Sequence, residues 1–434
     1  MKRINLGLIG FGVVGTGVYT ILERNKDLIL RRRGIDLHIK KIAVRDPGKE
    51  RVVNVPTSII TTDVEDIIND MSIQVVVELV GGVDFPFSLI EKSLKNNKHI
   101  VTANKALLAL KGRELFDLAN DHQLEIGFEA SVAGGIPIIR VIKEALLGDR
   151  IKSLYGIING TSNYILTKMV DENRDYHTCL EQAQRLGFAE TDPTLDVNGG
   201  DAAHKIAILA SFAFNTDVPY ESVYCEGIEN IKLVDIAYAR ELGYTLKLLA
   251  IAHEGDHKIC VRVHPTLIPL DSPLAGIKNE FNAVQIDSEF LGESMYSGKG
   301  AGSYPTANAV IGDIIDIAEN IAFNVEFNEY KNIHYDQKEI MSLSDIRYEY
   351  YLRFNTLDKP GILAQIAGIC AENKISIARV IQKGKHKDQF VHLVLKTYSA
   401  LEKDVQKALE KIDRLPIVDP PSQMIRIVSE FSND

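Results

Sequence analysis

Two stretches hold residue types at spacings that could do chemistry. Near the start, Gly10, Gly12 and Gly15 form G-x-G-x-x-G, after an apolar run and before a helical pattern. Gly10 permits a tight turn, Gly12 lets the backbone approach a pyrophosphate, and Gly15 lets helix and strand pack closely. The helix N-terminus then offers unpaired N–H donors to phosphates. Phe11, Val13 and Val14 complete that turn. A glycine-rich turn with no ligand is the plain alternative, but the strand–turn–helix context favours a dinucleotide site.

The second stretch is GFAETDPTLDVNGGDAAHK, Gly187–Lys205. Asp201 and Lys205 are four apart, so on a helix they share a face. On a surface such a pair is worth only ~0.3–0.5 kcal/mol. The residues that follow, IAILASFAF, are apolar nearly all round, which predicts a buried helix. A buried Asp and Lys need partners or a polar ligand. Glu190 and Asp192 lie just upstream in a Gly/Pro-rich loop. Carboxylates beside a lysine suit a small zwitterion, with acids for its ammonium and bases for its carboxylate. His204 is one position off that face and reads as structural.

Two tempting motifs fail on context. His253-Glu254-Gly255-Asp256-His257 matches the H-E-x-x-H of zinc proteases letter for letter. Its flanks are strand-like and Gly255-Asp256 is turn chemistry, so it reads as a hairpin tip. Asn159-Gly160-Thr161 fits a glycosylation sequon, with nothing else to suggest secretion.

The elements that must position these residues follow from periodicity. Residues 1–135 alternate strand and helix signals: strands at Ile4–Ile9, Leu37–Val44, Gln74–Val80, His99–Thr102 and Leu124–Phe128, with helices between, near Phe87–Asn96 and Gly112–His122. That alternation predicts βαβ units and a mostly parallel sheet, a Rossmann-type α/β domain. Residues 136–304 predict an α+β substrate-binding and dimerisation domain. Its helices are expected over Ser162–Asn173, Tyr176–Leu186, Ala202–Phe214 and Val234–Gly243, and its strands over Leu246–His253, Lys258–His264 and Ala283–Phe290. A helix over Thr306–Ile321 returns to the first domain, giving it about 305–323 as well. Residues 324–347 read as a linker. From 348 to 434 the order is βαββαβ, ferredoxin-like.

Composition narrows the classes. The net charge of −10 argues against a phosphate backbone as the main ligand, because nucleic-acid affinity rests on basic patches. Cys179, Cys225, Cys260 and Cys370 form no CxxC pair, which points to a reducing compartment and a cytoplasmic protein. No apolar run approaches the ~20 residues of a membrane-spanning helix. The basic-then-apolar start reads as a buried strand rather than a signal peptide. The second strand ends in Val44-Arg45-Asp46. Arg45 there suggests pairing with a 2′-phosphate, hence NADP(H); the alternative is that Asp46 holds the ribose of NAD(H).

With these residues in view, the chain resembles homoserine dehydrogenase of the bacterial form with a C-terminal ACT domain. The resemblance spans essentially the whole chain. It is carried by GFGVVGTGV, VTANKALLA at Val101–Ala109, EASVAGGIPII at Glu129–Ile139, GIINGTSNYIL at Gly156–Leu166, the Gly187–Lys205 segment, and GKGAGSYPTANAV at Gly298–Val310. It implies reduction of L-aspartate 4-semialdehyde to L-homoserine with NADPH or NADH, on the route to threonine, methionine and isoleucine. It implies Lys205 as the expected proton donor and Lys105 as a second lysine contacting substrate and nicotinamide region, with the choice between them left open. Glu190 and Asp201 would hold the substrate's amino group, and Gly187 and Gly302 would join the cofactor site.

The resemblance also implies a monovalent cation site, Na⁺ or K⁺, from the Glu129 carboxylate and the carbonyls of Val132, Gly134 and Ile136. Oxygen-only ligation suits such an ion better than a transition metal; a glycine hinge is compatible with it. The tail resembles an ACT domain, in which Asp358-Lys359-Pro360-Gly361 would cap the first helix. An amino-acid effector, threonine by pathway logic, and a plain oligomerisation module stand about even. A homo-oligomer, dimer or tetramer, is expected. Two other readings are another NAD(P)-dependent amino-acid or amino-aldehyde dehydrogenase, and a non-catalytic amino-acid and dinucleotide sensor. The sensor would tolerate loss of Lys105, Lys205, Glu190 or Asp201, and all four are present.

Overall fold

The computed structural model describes residues 2–255, 258–327, 335–383 and 390–428. Apolar runs with β-branched residues form the first sheet. Its six strands lie in the order Ile60–Thr61, Ile35–Ala43, Lys2–Ile9, Val75–Glu78, His99–Thr102, Ile126–Gly127, and every pairing is parallel. Residues such as Leu6, Leu8, Val76 and Ile100 are fully buried, as strands covered on both faces must be. The order reverses between Lys2–Ile9 and Val75–Glu78, which opens a crevice at their carboxyl ends.

Helices cover this sheet. Val13–Arg33 follows the glycine turn, and Gly34 ends it in the left-handed conformation (φ +72°). The long helix Ser303–Phe323 returns from far along the chain and packs against Val13–Arg33, as the helical pattern at Thr306–Ile321 predicts. A Cβ on Gly17 would press into Ser303 and Ala307, so glycine sets the closeness of that crossing.

Among the described residues a second sheet has 12 strands. Its main path runs Gly292–Lys299, Phe281–Ser288, Ile151–Ile157, Tyr244–Gly255, Lys258–Pro269, Gln423–Ile427, Arg347–Leu357, Phe390–Thr397, Ile377–Gln382. The last four strands, with helices Ile362–Glu372 and Glu402–Ile412, make the expected βαββαβ unit. This unit is not a separate bead. Thr266 and Leu267 pair in parallel with Arg426 and Ile427, fusing the unit to the middle sheet. Arg426, 1% exposed, reinforces the join. It donates to Glu402 at 2.6 Å and to Glu226 at 2.7 Å. Arg353 likewise binds Asp235 at 2.6 Å.

Several sequence expectations need correction. Strands Ile151–Ile157 and Gly292–Lys299 were not foreseen. The stretch expected as a linker is tied down where it is described: Asp336 bridges to Thr216, and Glu339–Ile340 pairs with Lys258–Ile259. Asp358 does not cap the helix after it. Gly361 is the cap residue, in the left-handed conformation, and Asp358 accepts a bond from Gln382 instead. His253–Gly255 lies on a strand paired antiparallel with Lys258–Cys260, as the hairpin reading of that motif expects; residues 256–257 lie outside the described residues. The pattern at Gln389–Lys396 predicts the strand found at Phe390–Thr397; Gln389 itself lies outside the described residues.

Candidate active site

The glycine turn sits at the crevice. Gly10 adopts φ +98°, and a Cβ there would meet the Leu79 carbonyl at 2.6 Å. A Cβ on Gly15 would collide with the Gly10 carbonyl. Gly12 differs: a Cβ there meets nothing within 4 Å. Internal packing therefore does not require glycine at position 12, whereas approach of a ligand to the backbone does. Val13, 70% exposed, opens the helix with free N–H groups behind it. Phe11 packs edge-on against Tyr19, with ring centroids 5.8 Å apart. Val14 packs against the core of the first sheet. These residues fit a dinucleotide.

At the rim, Arg45 is exposed just past the strand Ile35–Ala43. Asp46 is drawn into a turn, its carboxylate accepting the Gly48 N–H at 2.9 Å. Gly302 (φ +116°) precedes the returning helix, and Ser303 Oγ donates to the Val13 carbonyl at 2.7 Å. The glycine turn and the Gly302 turn are thus held side by side.

The lysines and acids converge from separate elements. Lys105 opens helix Lys105–Asp121, right after strand His99–Thr102, and Asn104 caps that helix by accepting the Leu107 N–H at 3.1 Å. Asp201 and Lys205 lie on helix Gly200–Ala213, buried from Gly200 through Ser211 as predicted. One Asp201 oxygen takes the Lys105 ammonium. The other takes Lys205 Nζ at 2.7 Å and Asn159 Nδ2 at 2.8 Å. Lys205 also donates to the Ile158 carbonyl at 2.7 Å.

Burial alone would raise the Asp201 carboxyl, but Lys205 and Lys105 hold it well below the usual range. Burial pushes the Lys205 ammonium below its ordinary value, with Asp201 opposing. Burial also works to lower Lys105, but Asp201, Asp196 and Glu190 together raise it. The two lysines thus differ in acidity. Lys205 is the readier to give up a proton; Lys105 is the more firmly charged and the more exposed.

Two members of the site were not singled out in the sequence. Asn159 accepts the Ser162 N–H at 2.7 Å, capping helix Gly160–Glu172, and donates to Asp196 at 2.7 Å as well as to Asp201. Asn-Gly-Thr before an apolar helical run is an N-cap pattern as well as a sequon, and that local signal points to Asn159. Burial raises the Asp196 carboxyl, and Asp201 adds to that. Asp201, for its part, is already shared by two lysines rather than open to a third ammonium.

Glu190 is exposed, on the loop that starts at Gly187 (φ +76°), and its charge acts on Lys105. Asp192 turns inward on its own loop, accepting the Thr194 N–H at 3.1 Å. His204 stacks on Tyr220 at 4.1 Å, the structural role expected of it.

The Glu129–Ile136 segment packs against the Gly298–Gly302 turn: Gly135 N donates to the Lys299 carbonyl at 3.0 Å, and Gly134 lies against Gly300. Glu129 is buried, and its two oxygens accept the Ile139 and Arg140 N–H groups at 2.9 and 2.8 Å. Burial raises its carboxyl to about 7. Ile136 lends its carbonyl to the Ile138 N–H at 2.8 Å. Among the described residues no group of three or more His, Cys, Asp or Glu is arranged to hold a metal.

The family model "Homoserine dehydrogenase, NAD binding domain" matches residues 10–129, "Homoserine dehydrogenase" matches 137–315, and "ACT domain" matches 350–417. The chain is 41% identical to the homoserine dehydrogenase of Bacillus subtilis, over 98% of this chain and 99% of that one. A solved homoserine dehydrogenase from Thiobacillus denitrificans is 40% identical and superposes with a TM-score of 0.93, covering 99% of each chain. One from S. aureus, 31% identical with 99% of each chain covered, gives 0.77. With the dinucleotide turn, the paired lysines and these relatives in agreement, the chain belongs to the homoserine dehydrogenase family, NAD(P)-dependent oxidoreductases acting on a CH–OH group.

Proposed function

We propose that the chain interconverts L-aspartate 4-semialdehyde and L-homoserine on the route to threonine, methionine and isoleucine, with Lys205 as proton donor. One observation carries the reading: two ammonium groups from different elements meet on a single buried carboxylate beside a dinucleotide crevice. The bound nicotinamide supplies the hydride. As negative charge grows on the aldehyde oxygen, an ammonium stabilises it and donates a proton, contributing typically ~10²–10⁴-fold. Lys205 is the better acid, held by Asp201 and the Ile158 carbonyl; Lys105 keeps its charge and orients the substrate. Asp201 serves chiefly to set this lysine pair. Glu190 and Asp196 are assigned to the substrate's ammonium, a change from the expected Glu190–Asp201 pair that follows from the crowding at Asp201.

Gly10, Gly12, Gly15 and Gly302 would line the dinucleotide site, with Phe11, Val13, Val14, Gly187 and Lys105 beside it. NADP(H) is the proposed cofactor, supported by the exposed Arg45 and by the engagement of Asp46 in its own turn. A sodium or potassium ion is proposed at Glu129 with the carbonyls of Val132, Gly134 and Ile136; the buried carboxylate supplies the anionic ligand. The family reading of the tail supports an amino-acid effector. A cavity of about 260 Å³, lined by Thr356, Asp358, Gly361, Gln382 and Leu393, is large enough for one. A homo-oligomer is supported by the edge strand Gly292–Lys299 and by the exposed Phe290, Leu291 and Met295 in and just before it. A cytoplasmic location is the proposed setting; among the described residues no helix is long and apolar enough to cross a membrane.

Nicotinamide absorbance with aspartate semialdehyde tests the reading, with NADPH and NADH in parallel and threonine present or absent. Turnover with NADPH at the lower KM, slowed by threonine, is the expected result. No turnover with either cofactor would end it. Inhibition absent at every threonine concentration would remove that effector alone.

A further inference from the structure

One buried acid in the crevice has no place in this chemistry. Glu78 ends strand Val75–Glu78, is 0% exposed, and lies in register beside Thr102 on the neighbouring strand. Its partners form a closed circuit. Thr102 Oγ donates to Glu78 Oε2 at 2.6 Å and accepts the Asn104 N–H at 3.1 Å. Asn104 Nδ2 donates to the Val80 carbonyl at 3.2 Å and to the Gly82 carbonyl at 2.8 Å. Val80 N closes the ring by donating to Glu78 Oε1 at 2.6 Å. The positions just before, Val77 and Val101, are ordinary buried valines. Apolar residues would therefore have served the core here, and burying a carboxylate is costly unless it fixes something. What this ring touches is specific. Asn104 caps the helix that begins with Lys105, and Lys105 N is itself tied to the Ala103 carbonyl.

We propose that the Glu78–Thr102–Asn104–Val80 circuit is a brace for catalysis: it fixes where the Lys105 ammonium stands against Asp201, and it sets the Val80–Gly82 turn at the mouth of the crevice. Glu78 and Thr102 are positioning residues that act through Lys105. The inference rests on the reading of Lys105 as a working lysine of the site. Near-attack geometry is sensitive to shifts of an ångström.

A double-mutant cycle on kcat tests it. Thr102→Val should lower kcat about ten- to hundredfold, whereas Thr102→Ser, which keeps the hydroxyl, should stay near wild type. Lys105→Met should lower kcat further, and the Thr102→Val/Lys105→Met double variant should be no slower than Lys105→Met alone, because the brace has nothing left to position. Multiplying effects in the double variant, or a wild-type kcat for Thr102→Val while Lys105→Met is impaired, would overturn the brace alone. A wild-type kcat for Lys105→Met would overturn the lysine's role and the brace with it. Should Thr102→Val not fold, Glu78→Gln takes its place in the same cycle, with the same outcomes deciding.

Discussion

Asp201 and Lys205, one turn apart on a buried helix, are joined at 2.7 Å, and the second oxygen of Asp201 reaches Lys105 at the end of a different sheet. This carboxylate is the joint between the dinucleotide crevice and the substrate half. Asp201→Asn would leave two ammonium groups facing a neutral amide. Turnover should fall by about a hundredfold or more, while dinucleotide affinity, read by fluorescence titration, stays within about twofold. A variant with normal turnover would show that the two lysines need no anion between them.

The proposed preference for NADP(H) puts the Arg45 guanidinium at the 2′-phosphate. Replacing Arg45 with Ala should raise the KM for NADPH about tenfold, the loss of ~1–2 kcal/mol in an exposed charge-assisted contact, and leave the KM for NADH nearly unchanged. Equal effects on both cofactors would place the residue away from any 2′-phosphate.

The buried carboxyls make stability depend on pH. Burial, against bonds from Thr102 and the Val80 N–H, raises Glu78 to about 7 from an ordinary 4.5. The folded protein therefore holds this proton more tightly than the unfolded chain. The stability it contributes is full below about pH 4.5 and is lost as pH rises through about 7. Asp313, also raised to about 7 by burial, acts in the same direction. Glu78→Gln should flatten part of the decline in denaturation midpoint between about pH 4.5 and 7, by up to ~3 kcal/mol. An unchanged slope would mean that Glu78 does not titrate in that window.

The ACT unit is bolted to the catalytic half by charge. Arg426→Leu would leave Glu402, itself buried, without its cation, at a cost of about 3–5 kcal/mol. Urea denaturation should show an early transition or a lower midpoint. A midpoint at or above wild type would show that the buried cluster is dispensable for stability.

Much of this was legible in the residues. The glycine turn, the alternating first 135 residues and the all-apolar helix after Lys205 point to the dinucleotide crevice and the burial of Asp201, because each signal is local in sequence. Strand Gly292–Lys299 was not legible: GESMYSGK is polar and glycine-bearing, and pairing with Phe281–Ser288 decides its conformation. Fusion of the βαββαβ unit to the middle strands rests on two residue pairs about 160 positions apart, which no local pattern reports. The bond from Asn159 to Asp201 and the Glu78 ring escaped for the same reason. Their roles appear only when strand ends and helix caps from distant segments come together.

In the proposed reaction Lys205 delivers the proton to the reduced carbonyl oxygen. The most direct measurement is steady-state turnover of aspartate semialdehyde by Lys205→Ala, beside dinucleotide titration of the same preparation. A kcat lower by about 10²–10⁴-fold with dinucleotide affinity retained is the expected result. Turnover within a few fold of wild type would contradict it.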